Sequence, residues 1–191
     1  KGRVTDSCYY VWNGDKFEKV EGLDVAVGHI CSERNIDQVF KYVVGNESPK
    51  VYKCLNSGWK QVDGSFSAHE RMGYVIDADG NKDSVMAANS QIWMPKNLDI
   101  VVDSSYCYDD ESKCAKYGRL YTWNAAKNAC PEGWRLPDAK EWQTLINEVD
   151  FDALMTESGW GISMSLHGSD EYGFMAFPAG FRESDGTYDT D

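Results

Sequence analysis

Between Tyr121 and Leu145 the chain reads YTWNAAKNACPEGWRLPDAKEWQTL, two short helical patterns on either side of a Cys-Pro-Glu-Gly-Trp turn. Thr122 is the expected N-cap of the first helix, with Trp123, Ala126 and Cys130 on one face, and Pro131 stops it because proline cannot continue a helix. In the second, Asp138 and Glu141 make an Asp-x-x-Glu variant of the capping box. Trp142, Leu145, Ile146 and Val149 then recur at i, i+3, i+4 and i+7, which reads as a buried stripe. If that stripe is core, truncating Trp142 to Ala costs about 3–5 kcal/mol. Buriable aromatics at this spacing predict scaffold, and a cysteine-stapled mixed α/β module, in preference to a catalytic centre.

The six cysteines are Cys8, Cys31, Cys54, Cys107, Cys114 and Cys130. None forms a Cys-x-x-Cys pair, and His29, His69 and His167 are scattered, so the short paired spacings of a zinc site are missing. An even cysteine count in an acidic chain rich in Trp, Tyr and Gly predicts disulfides and an oxidising compartment. The expected pairs are Cys31–Cys54 and Cys107–Cys114, with Cys8 and Cys130 unassigned. Thirty-one acids against 19 bases give a net charge of −12. Such a chain repels nucleic acid and anionic membrane, both of which need clustered Lys and Arg. The densest charge run, Asp109-Asp110-Glu111, reads as solvated surface. No apolar run approaches the ~18–20 residues of a membrane helix, so the chain is not expected to span a membrane. With no initiator Met and no signal peptide, Lys1 is not expected to be the native start, and the chain reads as a mature product or an excised piece.

An internal repeat occupies the first third. YYVWNGDKFEKVEG, residues 9–22, aligns without gaps on VYKCLNSGWKQVDG, residues 51–64, at an offset of 42. Each copy reads as strand, Gly-containing turn, strand, the pattern of a β-hairpin. Hairpins this small rarely hold a core alone, and a Cys31–Cys54 bridge would restrict the unfolded chain by about 3 kcal/mol. Residues 1–64 are therefore expected to be one or more all-β hairpin modules, and residues 65–191 a second domain, of an α+β chain. In that domain residues 74–76 and 91–94 read as strands around a turn at 77–81, residues 118–121 as a short strand, and residues 172–178 as another. The tail at 183–188 reads as a turn entering a strand.

The second domain carries QIWMPKNL at 91–98, CAKYGRLYTW at 114–123, CPEGWRLP at 130–137, Glu141-Trp142 and YGFMAFPAG at 172–180. From about Gly73 to Asp191 these residues resemble the Fibrobacter succinogenes major paralogous domain family of secreted and surface proteins. The hairpins resemble the short Cys/Trp modules that often precede it. The family pattern is itself similar to the first half of a C-type-lectin-like fold, with Trp123, Ala126, Cys130, Gly133, Leu136, Glu141 and Leu145 in matching slots. The resemblance implies two short helices with a small antiparallel sheet. It also implies a domain that continues past Asp191, where a later cysteine would pair with Cys130. Lys96 departs from the pattern, standing where the family carries an acid. The sugar- and calcium-binding motifs of the lectin fold would fall in or near the later half.

Candidate chemistry is sparse. Asp77, Asp79, Asn81 and Asp83 have the alternating oxygens of a calcium loop, but the sixth and twelfth positions are Lys82 and Ala88 where an EF-hand needs Gly and Glu. A charged hairpin turn is the preferred reading there, and a solvated loop at Asp109-Asp110-Glu111. Glu132 and Glu141 have no His or nucleophile nearby in sequence to make them an acid/base pair, and His167 lacks a Gly-x-Ser-x-Gly elbow. No catalytic residue or cofactor is expected, and calcium, at Asp77, Asp79, Asn81 and Asp83 or in the Asp109-Asp110-Glu111 loop, is kept as the lesser reading. Trp93, Trp123, Trp134 and Trp142 are assigned to core. Trp12, Trp59, Trp160 and Tyr188 are less committed, and exposed flat rings can stack on sugars. The expected protein is a non-enzymatic module, extracellular or on the surface of a bacterium, for adhesion to polysaccharide or another envelope protein. The alternative is a structural subunit or decoration of an extracellular appendage or envelope assembly.

Overall fold

A computed structural model describes residues 9–12, 17–20, 30–43, 46, 48–77, 79–88, 90–160 and 168–189. Contacts divide the chain into two compact units, residues 1–66 with 73–92, and residues 67–72 with 93–191. Cys8, His29 and His167 lie outside the described residues, so the open pairing of Cys8 and the loop reading of His167 do too.

In the first unit β1 (Tyr9–Trp12) pairs antiparallel with β2 (Phe17–Val20). A three-stranded antiparallel sheet follows, in the order β3 (Val39–Tyr42), β4 (Lys50–Leu55), β5 (Gly58–Gln61). The two hairpins share one register. Trp12 faces Phe17 in the first and Cys54 faces Trp59 in the second, each displaced by the 42 residues of the sequence repeat. The sheet buries Val39, Val51, Cys54 and Val62. Cys54 is bonded to Cys31 at 2.08 Å, one of the two pairs named from the sequence. Central position on β4 also buries Lys53, whose ammonium lies 2.8 Å from the half-exposed Asp37 carboxylate. A second sheet runs β6 (Met72–Ile76), β7 (Lys82–Ala88), β8 (Gln91–Trp93), with Val85 to Ala88 fully buried.

The second unit combines helices with two-stranded ribbons, so the chain is α+β. β9 (Ser105–Tyr106) pairs antiparallel with β10 (Leu120–Tyr121). Between them a 3-10 turn, Glu111–Lys113, runs into the one-turn helix α1 (Cys114–Tyr117). The sequence pattern had predicted two helices, and α1 is a third. It ends at Gly118, where φ is +71° and a Cβ would lie 2.6 Å from the Asn97 Cβ and 2.8 Å from the Leu98 carbonyl oxygen. Only glycine fits that approach.

Thr122 caps α2 (Trp123–Ala129) through its hydroxyl oxygen, which accepts the Ala125 N–H. Cys130 then turns extended ahead of Pro131, and the Trp134 N–H closes a turn onto the Pro131 carbonyl with Gly133 at φ +81°. α3 (Ala139–Glu148) carries the complete reciprocal cap. The Asp138 carboxylate accepts the Glu141 N–H at 2.9 Å, and the Glu141 carboxylate accepts the Asp138 N–H at 3.0 Å. β11 (Phe181–Arg182) and β12 (Tyr188–Asp189) close the described chain as an antiparallel pair.

Four expectations fail here. On α3, Leu145 and Val149 are buried, but Trp142 is 41% and Ile146 44% exposed, because the apolar stripe is broader than the inward face. Trp123 is 70% exposed, since α2 packs through Ala125, Ala126 and Ala129, one residue round from the face predicted. Trp134 is only half-buried, whereas Trp93 is buried as expected. Residues 172–178 form no strand. A single bridge joins Ala176 to Met155, and positive φ at Gly173 and Met175 prevents a continuous extended run.

Candidate functional site

A buried polar constellation in the second unit centres on Arg119, which no motif in the sequence singles out. β10 follows directly from it and β9 lies opposite, so its guanidinium reaches back under the 105–114 loop. Cys107 and Cys114 are bonded at 2.02 Å, the second pair named from the sequence. Arg119 donates through Nε to the Ser105 hydroxyl at 3.0 Å and through Nη2 to the Ser105 carbonyl at 3.1 Å. Its Nη1 points at both bridging sulfurs, 3.3 Å from Cys107 Sγ and 3.4 Å from Cys114 Sγ, and lies 3.6 Å from the exposed Glu111 carboxylate. At 8% side-chain exposure the guanidinium is a buried fork, each of its three nitrogens directed at a protein partner.

Ser105 carries this order into the next turn. Its hydroxyl donates to the Val102 carbonyl at 2.6 Å and accepts the Val102 N–H at 3.1 Å. Ser104 is held at φ +62°, and its carbonyl accepts the Thr122 N–H at the start of α2. Between the Val102–Ser104 turn and α2 opens a groove of about 490 Å³, lined by Val102, Asp103, Ser104, Thr122, Asn124, Ala125 and Asn128. Asn128 donates to the Asn124 carbonyl at 3.2 Å. Among the described residues, no hydrogen bond engages the side chains of Asp103, Ser104 or Asn124. The one signal in the sequence was the spacing of Asn124 and Asn128, four apart and so on one stripe of α2.

The residues singled out from the sequence do not converge. Asp77 folds back on its own turn, its carboxylate accepting the Asp79 N–H at 2.9 Å, the Asn81 N–H at 2.7 Å and the Asn81 side-chain amide at 3.0 Å. These bonds, that of the Asn81 side chain first, hold its pKa below the ordinary aspartate value. Asp79 and Asp83 are exposed. In the acidic run, Asp110 caps the 3-10 turn through the Ser112 hydroxyl and N–H, which likewise lowers its pKa. Among the described residues no group of three or more His, Cys, Asp and Glu gathers as a metal would require. Glu141 is engaged twice over, in the cap of α3 and in a bidentate pair with Arg135, 2.7 Å from Nη1 to Oε2. That pair raises the pKa of Arg135.

The ring candidates fare differently. Trp12 lies on β1 and Trp59 is half-buried on β5. Trp160 is half-buried, and Tyr188 packs on Tyr108 at 5.2 Å between ring centres, with the Arg182 guanidinium 5.7 Å from its ring. Among the described residues the largest exposed rings are instead Trp123 and Trp142. Trp142 leans on buried Trp93 at 4.7 Å between ring centres and meets Phe174 edge-on at 6.4 Å.

Compared with known families, residues 86–191 match the model of the Fibrobacter succinogenes major domain. The chain belongs to that family. The matched stretch of the major domain takes in the Arg119 constellation, the groove, both longer helices and the Trp93–Trp142 pair. Comparison with curated proteins and with solved structures returns no match. No helix among the described residues is long and apolar enough to cross a membrane.

Proposed function

We propose that this major-domain chain is a non-enzymatic module, secreted or displayed on a bacterial surface, that adheres to polysaccharide or to another envelope protein. The observation that carries it is a division of labour. The acids that chemistry would recruit, Asp77, Asp110 and Glu141, are engaged in turns, caps and an ion pair, while the broad ring of Trp123 stands 70% in solvent. Exposed rings of that size are the usual currency of recognition, since they bring large apolar area at little entropy cost. Two disulfides support an oxidising compartment. The order β10, α2, turn, α3 supports a C-type-lectin-like arrangement of the second unit. The test is a glycan array with a cellulose pull-down, using the full chain. Retention on at least one polysaccharide is expected, and no binding anywhere would remove the carbohydrate version.

A second reading, a structural subunit or decoration of an appendage or envelope assembly, is favoured by the common register of the two hairpins, which suits a repeated spacer. Native size measurement separates the two. A ladder of species or a filament supports the subunit, and a clean monomer opposes it.

A further inference from the structure

We propose that the groove between the Val102–Ser104 turn and α2 is a binding site for an uncharged, hydroxyl-rich glycan, an inference that rests on the adhesion reading above. A sugar hydroxyl both donates and accepts, so its site needs mixed groups rather than a block of one kind. The lining supplies them. The Asp103 carboxylate accepts, the Ser104 hydroxyl and the Asn124 amide do both, and Asn128 offers an acceptor oxygen while its amide N–H is turned to the Asn124 carbonyl.

The ligand's charge follows from the same residues. No Lys or Arg lines the groove, its single ionisable group is the acid Asp103, and the chain carries a net charge of −12. A uronate, sulfated or phosphorylated polymer would meet repulsion with no cation in the lining to neutralise it. Apolar contact comes from Val102 and Ala125 within the groove, while Trp123 sits in the chain between the lining residues Thr122 and Asn124. A volume of about 490 Å³ falls in the range of small-ligand sites. The backbone of the turn is set before binding. Val102 is tied to Ser105, Ser105 to Arg119, and Arg119 to the Cys107–Cys114 bridge, so the ordering cost falls on the lining side chains alone.

The experiment titrates the full chain, by calorimetry and by amide chemical shifts, with soluble β-1,4-glucan oligosaccharides, xylan and mannan, and with polygalacturonate as the anionic comparator. Binding to at least one neutral glycan is expected, with shifts at residues 102–104 and 122–128. The double substitution Asn124→Ala/Asn128→Ala should weaken it at least tenfold. Both side chains are exposed, and circular dichroism checks that the variant folds. Neutral-glycan binding that survives the double substitution but is lost in Trp142→Ala would overturn the groove and leave the adhesion reading standing. Preference for polygalacturonate would overturn the ligand class. If no glycan binds the unaltered chain while it still captures an envelope protein, the groove assignment falls and adhesion survives in its protein form.

Discussion

Six aspartates in this chain build its turns and caps. Asp63, Asp77, Asp110, Asp150 and Asp185 each accept the N–H of the residue two ahead, and Asp138 accepts the one three ahead to open α3. A short carboxylate reaches its own downstream backbone without help from tertiary packing, which is why such residues favour turns and caps. Arg119 is the opposite case, since its value depends wholly on what the fold brings to it. Its three nitrogens meet a hydroxyl, a carbonyl and two sulfurs, and loss of the side chain strands the Ser105 carbonyl and uncovers the disulfide. Arg119→Leu is expected to lower stability by about 2–3 kcal/mol in urea unfolding under non-reducing conditions. Arg119→Lys should recover less than half, because a single ammonium cannot reproduce a planar fork. A lysine variant as stable as the parent would show that charge alone matters there.

Among the elements, α3 is the sharpest test of what burial contributes. Leu145 is fully buried while Trp142, three residues earlier, keeps 41% of its surface in water. Leu145→Ala is therefore expected to cost about 2–5 kcal/mol, the range for an emptied core site. Trp142→Ala should cost about 1–2 kcal/mol, mostly the lost ring contacts with Trp93 and Phe174. Thermal unfolding of the two variants ranks them, and a larger loss at Trp142 would mean that the ring is packed after all. The contrast shows what could be read from sequence. The caps at Thr122 and Asp138, the stop at Pro131 and the hairpin repeat are settled by near neighbours, and so was the short Cys107–Cys114 loop. Which side of an amphipathic helix faces in depends on distant partners. The stripe at 142, 145, 146 and 149 named the right helix but could not tell that only Leu145 and Val149 are covered. Likewise Arg119 and the groove arise because β9 lies against β10, a pairing that no local pattern announces.

For the whole molecule, the acidity has two opposed effects, and pH separates them. A net charge of −12 at neutrality is self-repulsion that the folded chain must bear. Lowering the pH from 7 toward about 5 begins to protonate carboxylates and so relieves that repulsion. Asp77, Asp110 and Asp185 respond differently, because the Asn81 side chain, the Ser112 hydroxyl and the Thr187 N–H respectively lead the bonds that hold their pKa values below the ordinary one. A depressed folded pKa means stability that is fully present above the unfolded value, about 4, and is lost as the pH falls through the folded value. The transition temperature at fixed ionic strength should thus rise from pH 7 to a maximum near pH 5 and drop below about pH 4. Raising ionic strength from about 0.01 M to 0.15 M, which shortens the screening length from roughly 30 to 8 Å, should lift the pH 7 value and barely change the fall at low pH. Repulsion acts through solvent over that distance, whereas the turn bonds act at contact. Asn81→Ala removes the side-chain donor that leads the Asp77 shift, so it should move that carboxylate's NMR titration midpoint up toward the ordinary aspartate value. A transition temperature that falls steadily from pH 7 downward, at both ionic strengths, would show that repulsion is too weak to matter and that the turn-forming acids dominate throughout.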